Sequence, residues 1–397
     1  MLVKFPKSIK IFHNIGLSGW MVEGEGVMMG PGVRDDKDFS ACGIFGIMNR
    51  SGSRFRGRKI VRAMENMKVR GNGLGAGYAV YGLYKQYKQY YALHMIFDEK
   101  EAKRRVDEFL QRNFEVVHEE AIPTDDSVGL PNPPLFWRYF VSPKKKGVEK
   151  SLGDEDYVIS KVMHINTRLP GAYVISSGRN MGIFKGVGFP EEIAEFFMLE
   201  EYKGYMWTAH TRFPTNTPGW WGGAHPFGIL DWSVVHNGEI SSYGTNKRYL
   251  EMFGYYSTLK TDTEVLAYIF DFLMRKQGLP IETVAKILAP PTWDEIDAME
   301  EKERAFHTAL RMTYAPLLVN GPWAVVVAKQ GLMFGLTDRI RLRPLTTAER
   351  GEFFFISSEE AAIRAVSPNL DRVYTPYGGE PVVAALEEKA LKKVLGE

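Results

Sequence analysis

The chain has 397 residues, 45% apolar and 13% aromatic, enough for a sizeable core in one large domain or in two or three smaller ones. Its 50 Lys and Arg nearly balance 48 Asp and Glu, and a net charge of +2 gives no electrostatic reason to expect nucleic acid as a partner. No run approaches the roughly 18 apolar residues of a membrane span, no signal-peptide core survives Pro6, Lys10, His13, Asn14 and Gly16, and the single cysteine, Cys42, allows neither an intrachain disulfide nor a Cys/His metal cluster. A cytoplasmic protein without membrane contact or bound metal is the expectation.

Residues 1–41 hold six glycines and little periodicity, and read as a leader or propeptide, with Met21, Met28 and Met29 as alternative starts. Cys42-Gly43-Ile44-Phe45-Gly46-Ile47-Met48 is a short buried strand, on which a cysteine is by itself most simply a small buried hydrophobe. A helix near 58–69 places Ile60, Val61, Met64 and Met67 on one side. The alternating glycines of Arg70–Gly77 invite a phosphate-loop reading, but they lie between a helix and a strand at 78–83, whereas a dinucleotide loop runs from strand to helix. Close backbone packing explains them better.

From about 85 to 165 the sequence behaves as an insertion. It opens with a strand at 90–97 and an amphipathic helix near 98–114, started by Asp98 and Glu101 as a capping pair. The Pro-rich segment 131–143 and Lys144-Lys145-Lys146 read as solvated loop. Strands follow at 171–177, 181–187, 204–213, 232–236, 322–329, 331–336, 352–357 and 372–376. Helices are expected at 190–199, 262–276, 294–312 and 380–395, with a further element at 281–289. Strand hairpins among a few apolar helices predict an α+β fold of sheets covered by helices.

Four polar clusters stand among these strands: His210-Thr211-Arg212-Phe213-Pro214-Thr215, Ala224-His225-Pro226-Phe227, His236-Asn237-Gly238-Glu239 and Thr261-Asp262-Thr263-Glu264. Each has a local explanation. Arg212 suits a surface ion pair, Asn237-Gly238 a turn, and Thr261-x-x-Glu264 a capping box. His210, His225 and His236 match no zinc spacing and read as packed, hydrogen-bonded residues. Jointly they describe a different object. A guanidinium grips a carboxylate, an aspartate at a helix start holds an ammonium, and an Asn amide beside a Gly N–H offers two donors to an oxyanion. Those groups would hold an amino-acid amide, and Cys42 would supply the nucleophile. As the first residue, Cys42 would also carry a base, because an α-amine titrates near 7.7–8.0. That chemistry asks for cleavage after Ala41.

At these residues the chain resembles a class II glutamine amidotransferase domain of the N-terminal-nucleophile hydrolase type. The resemblance rests on Cys42-Gly43-Ile44, His210-Thr211-Arg212, Ala224-His225-Pro226, His236-Asn237-Gly238 and Thr261-Asp262-Thr263-Glu264 in that order, with later matches at Asp338, Arg343-Pro344-Leu345 and Ser357-Ser358-Glu359. It covers most of 42–365. It implies a four-layer αββα sandwich over 42–397, in which Cys42 attacks the glutamine amide and Asn237 and Gly238 stabilise the oxyanion. Arg212 and Asp262 would bind the α-carboxylate and α-ammonium, with Thr215 and His225 also on the substrate side. The motifs Arg212-Phe213-Pro214-Thr215-Asn216-Thr217 and His236-Asn237-Gly238-Glu239-Ile240 look most like the stand-alone amidotransferase subunit of an archaeal-type glutamate synthase. This implies L-glutamine as substrate, ammonia delivered to an FMN-binding synthase subunit, and FMN, iron–sulfur and NAD(P)H centres on partners rather than in this chain. Two alternatives stay open: the glutaminase half of another amidotransferase, and a non-catalytic glutamine-binding regulatory subunit if the leader is retained.

Overall fold

The apolar run after Cys42 forms the inner strand of a sheet. Gly43–Asn49 is buried along its whole length and pairs antiparallel with Met206–Thr211 on one side and Phe353–Ser357 on the other. A strand covered on both faces has no solvent side, so its sequence is continuously apolar instead of alternating. The computed structural model describes residues 41–213 and 219–395. It places this strand in the middle of a seven-stranded sheet ordered Arg372–Tyr374, Thr346–Arg350, Phe353–Ser357, Gly43–Asn49, Met206–Thr211, Ala76–Tyr81, Met181–Gly186.

A second sheet of five strands runs Phe227–Ile229, Trp232–Gly238, Trp323–Lys329, Leu332–Thr337, Val382–Ala385. The two sheets pack face to face through Ile44, Met48, Ala79 and Met206 from the first and Val235, Val326 and Met333 from the second. Ile60, Met64, Ile193 and Ile363, from the helices Arg58–Asn66, Pro190–Phe196 and Glu360–Val366, cover the outer face of the seven-stranded sheet against Phe45, Ile47 and Trp207. The helices Asp262–Phe270 and Ile281–Leu288 bury Leu266, Ile269 and Val284 in a cluster with Val234, Val325 and Phe334 on the outer face of the five-stranded sheet. The order of layers is helix, sheet, sheet, helix, an α+β sandwich as the sequence predicts.

Residues 91–176 build a third sheet, ordered Phe114–Ala121, Leu135–Pro143, Tyr91–Phe97, Ala172–Ser176, with the helices Lys100–Asn113 and Asp154–Arg168. Leu93 and Val174 share an apolar cluster with Phe227 and Ile229, which joins this sheet to the five-stranded one. Several expectations are corrected here. The 131–143 segment is not loop: its prolines at 131, 133 and 134 precede a nine-residue strand, and Pro143 ends it. Asp98 and Glu101 do not cap the following helix, whose N-cap is Glu99, without a side-chain cap bond, and Glu101 instead pairs with Arg104. The 294–312 helix is two helices, Trp293–Asp297 and Glu301–Tyr314. The 380–395 segment begins as the strand Val382–Ala385, burying Val382 and Ala384, and only then turns into the helix Glu388–Leu395. No helix among the described residues is long and apolar enough to cross a membrane.

Candidate active site

Sheet register assembles the site. Gly43 lies opposite Thr211, so the start of one inner strand and the end of its neighbour bring Cys42 beside Arg212. Gly238 ends a strand of the facing sheet, and Asp262 is the first residue of the helix that covers that sheet. Cys42, Arg212, His225, Gly238, Lys260 and Asp262 line a single cavity of about 410 Å³. Thr215 lies outside the described residues.

Cys42 is half-buried. Its Sγ accepts the Phe213 N–H at 3.4 Å, and its carbonyl accepts Arg70 Nε at 3.1 Å. Arg70 is itself ion-paired with Glu359. Burial pushes the thiol up, partly offset by the Phe213 hydrogen bond and by the guanidinium groups of Arg212 and Arg343. The Arg212 backbone is fixed on both sides: its N–H donates to Gly75 O at 2.8 Å and its carbonyl accepts the Asn72 N–H at 3.2 Å. This is the work of the glycine-rich Arg70–Gly77 stretch. A Cβ on Gly77 would stand 2.3 Å from the His225 carbonyl oxygen, so only glycine lets the two chains approach.

Asp262 Oδ2 accepts the Ile240 N–H at 3.1 Å, and Oδ1 accepts the Thr261 and Thr263 hydroxyls at 3.3 and 3.2 Å. Burial acts to raise its carboxyl, but His236 and these hydrogen bonds outweigh it and hold Asp262 below the ordinary aspartate range. Thr261 caps the helix by accepting the Thr263 N–H. The expected capping box does not close, because Glu264 turns away from Thr261. Its two oxygens accept the Thr258 and Leu259 N–H groups at 3.0 and 2.8 Å.

The three histidines cluster at the cavity, His225 and His236 lining it and His210 packed against His225. The His210 and His225 rings lie 3.8 Å apart, His210 Nε2 is 2.9 Å from the His236 carbonyl, and His236 Nδ1 is 3.1 Å from Thr263 Oγ1. Burial holds His210 and His225 well below the ordinary histidine range, so both are neutral. Among the described residues no group of three or more His, Cys, Asp or Glu is placed to hold a metal ion.

Asn237 is brought to the site but does not line the cavity. It is buried, and its amide nitrogen lies 3.4 Å from Ser358 Oγ. Asn237 and Gly238 do not form the expected turn: they continue the strand, opposite Ala324 and Trp323. Gly238 has φ 135°, and a Cβ there would stand 1.9 Å from the Pro322 carbonyl oxygen, so the position demands glycine. Sequence reasoning gave no role to the further lining residues Phe213, which it quoted only as part of a motif, Lys260 and Tyr243, and it gave Ser358 no part in holding Asn237. Phe213 lies within one recognised motif and Lys260 directly precedes another, and that proximity was the available signal.

A family model described as glutamine amidotransferases class-II matches residues 81–372, a span that contains Arg212, Asn237, Gly238 and Asp262 and starts after Cys42. An uncharacterized protein of Archaeoglobus fulgidus is 69% identical over 370 residues, covering 92% of this chain and 98% of its own. Two more distant relatives are several times longer than the stretch they share with this chain. The glutamate synthase [NADPH] large chain of Bacillus subtilis is 26% identical over 237 residues, which is 54% of this chain and 15% of that one. Glutamine–fructose-6-phosphate aminotransferase [isomerizing] of Vibrio vulnificus is 28% identical over 207 residues, 49% of this chain and 31% of that one. With the family model spanning most of its length, the chain belongs to the class-II glutamine amidotransferases.

Proposed function

We propose that the chain hydrolyses L-glutamine to L-glutamate and ammonia through a thioester on Cys42, and that the ammonia passes to a separate FMN-binding glutamate synthase subunit. The observation that carries this reading is the single cavity shared by a thiol, a guanidinium and a carboxylate. Arg212 binds the α-carboxylate of glutamine in two-pronged fashion, and Asp262, ionised because its carboxyl is held low, binds the α-ammonium. Cys42 Sγ then attacks the side-chain amide carbon. The Gly238 N–H and the Asn237 amide donate to the oxyanion, Asn237 turning from Ser358 to do so. The thiol proton is carried by the Cys42 α-amine to the departing nitrogen, ammonia leaves, and water cleaves the thioester to glutamate and free thiol.

The base exists only once residues 1–41 have been removed, since the Cys42 nitrogen is a non-basic amide while Ala41 is attached. Support for the acceptor comes from the Arg212–Thr217 and His236–Ile240 motifs and from likeness to the B. subtilis glutamate synthase large chain. FMN, iron–sulfur and NAD(P)H chemistry then belongs to the partner. Likeness to the aminotransferase of V. vulnificus favours a second reading, in which the same glutaminase half feeds an amino-sugar acceptor.

The test is intact mass and glutaminase assay on one purified sample. A species beginning at Cys42 that releases one ammonia per glutamate is expected. Full-length protein with high glutaminase activity would overturn the role of the α-amine. Adding a candidate synthase subunit with 2-oxoglutarate, or a sugar-phosphate acceptor in its place, separates the two acceptors.

A further inference from the structure

Lys260 stands in the left-handed backbone region, φ 58°, a conformation that a residue with a Cβ adopts only under constraint. The constraint is visible on both sides. The buried Glu264 carboxylate pins Thr258 N–H and Leu259 N–H, one with each oxygen, and Thr261 is committed to capping the next helix. Between these anchors Lys260 has little backbone freedom, and it lines the same cavity as Cys42, Arg212 and Asp262. Lys260 is exposed and makes no hydrogen bond or ion pair among the described residues. The sequence offers no structural task for a lysine here, and a glycine would satisfy the backbone at less strain.

We propose that Lys260 is a specificity-determining residue: a second cation at the cavity that, with Arg212, selects amino-acid amides bearing a free α-carboxylate. This rests on the reading of the cavity as a glutamine site. Asp262, on the same cavity, is the partner for the α-ammonium, and Lys260, with no hydrogen bond or ion pair among the described residues, presents its ammonium to a ligand anion. An ammonium on a flexible stem at the mouth acts as a point charge for that anion and adds to the planar grip of Arg212. The Glu264 clamp on the 258–259 backbone keeps Lys260 against the cavity without a side-chain partner for it among the described residues.

The experiment compares purified wild type with K260Q, K260R and K260G on L-glutamine and on L-glutamine α-amide, which keeps the ammonium and the side-chain amide but lacks the carboxylate. In K260Q the preference in kcat/KM for glutamine over the α-amide falls about three- to tenfold, through KM and with kcat unchanged, the order expected for one partly exposed charge-assisted contact. K260R retains the preference. K260G behaves as K260Q although it relieves the backbone strain, and raised salt erodes the preference in wild type more than in K260Q. An unchanged preference in K260Q, or a K260G variant indistinguishable from wild type, overturns the role of Lys260. Absence of glutamine hydrolysis in wild type that begins at Cys42 overturns the reading of the cavity itself.

Discussion

The Asn237 amide nitrogen lies 3.4 Å from Ser358 Oγ, and that same oxygen accepts the Ile44 N–H at 3.1 Å. Ser358 N–H donates back to Ile44 O at 3.0 Å. One serine therefore ties the amide proposed for the oxyanion to the strand that begins at the nucleophile, and this contact spans both sheets. Asn237→Ala removes the amide and should lower glutaminase turnover by about a hundredfold or more, the cost of one oxyanion donor, with an unchanged circular dichroism spectrum. Near-wild-type turnover would remove Asn237 from the mechanism. Ser358→Ala strands the buried Ile44 N–H, and should cost about 1–3 kcal/mol in urea unfolding.

Arg212 and Asp262 act on groups of the substrate that do not react. Interactions that are equal in the ground and transition states set KM and leave kcat alone. Arg212→Ala and Asp262→Asn should each raise KM for glutamine about tenfold or more while kcat changes little, and steady-state kinetics on both variants reads this directly. An unchanged KM in Arg212→Ala counts against its contact with the carboxylate.

The parts of the fold that were legible in the sequence are those where one physical signal dominates. Gly43–Asn49 shows itself because burial on both faces removes every polar residue but the last. Phe114–Ala121 stayed hidden because Val117 and Ala121 are exposed beside Glu115 and Glu119 while His118 and Glu120 fall on the other face, so no clean apolar alternation shows, and its membership of a sheet depends on Leu135–Pro143, a partner masked by the prolines before it. At Asn237-Gly238 a strong local turn signal lost to cross-strand pairing with Ala324 and Trp323. The Thr261–Glu264 pattern fits a capping box, but Glu264 is buried and spends its oxygens on Thr258 and Leu259 instead. Ser358 carried no signal as a partner of Asn237, because 121 residues separate the two and only the packing of the sheets brings them together.

Gly77 tests the close approach behind Arg212. An added Cβ would stand 2.3 Å from the His225 carbonyl and 2.6 Å from Lys185 Cβ, neither of which is the movable end of a side chain. Gly77→Ala should destabilise the protein by about 1–3 kcal/mol or more, as overpacking does, and should raise KM as His225 and Arg212 are displaced. Gly153, where a Cβ would meet nothing within 4 Å, supplies the comparison: Gly153→Ala should leave KM unchanged. Equal thermal shifts in the two variants would show that the chains at Gly77 can separate without cost.

Glu264 couples the loop holding Lys260 to pH. It is 1% exposed, and burial pushes its carboxyl up to about 7, against the pull of the Thr258 and Leu259 N–H groups. In the unfolded chain a glutamate titrates near 4.3. Between those values the unfolded state releases its proton and the folded state keeps it, so stability falls as pH rises from about 4.3 to 7, by at most on the order of 4 kcal/mol. The contribution is fully present below the unfolded value. Lys185, whose buried amine is pushed down to about 7, runs the other way: the unfolded chain holds that proton up to about 10.4, and stability rises with pH above 7. Unfolding free energies measured in urea from pH 4.5 to 9.5 should therefore pass through a minimum near neutrality. Glu264→Gln should lower stability overall and abolish the acidic limb, so that its difference from wild type shrinks as pH rises from 4.5 to 7.5. A difference that stays constant with pH would mean that Glu264 remains ionised throughout, held by its three donors and the Lys185 ammonium, and the loop that carries Lys260 would then be independent of pH.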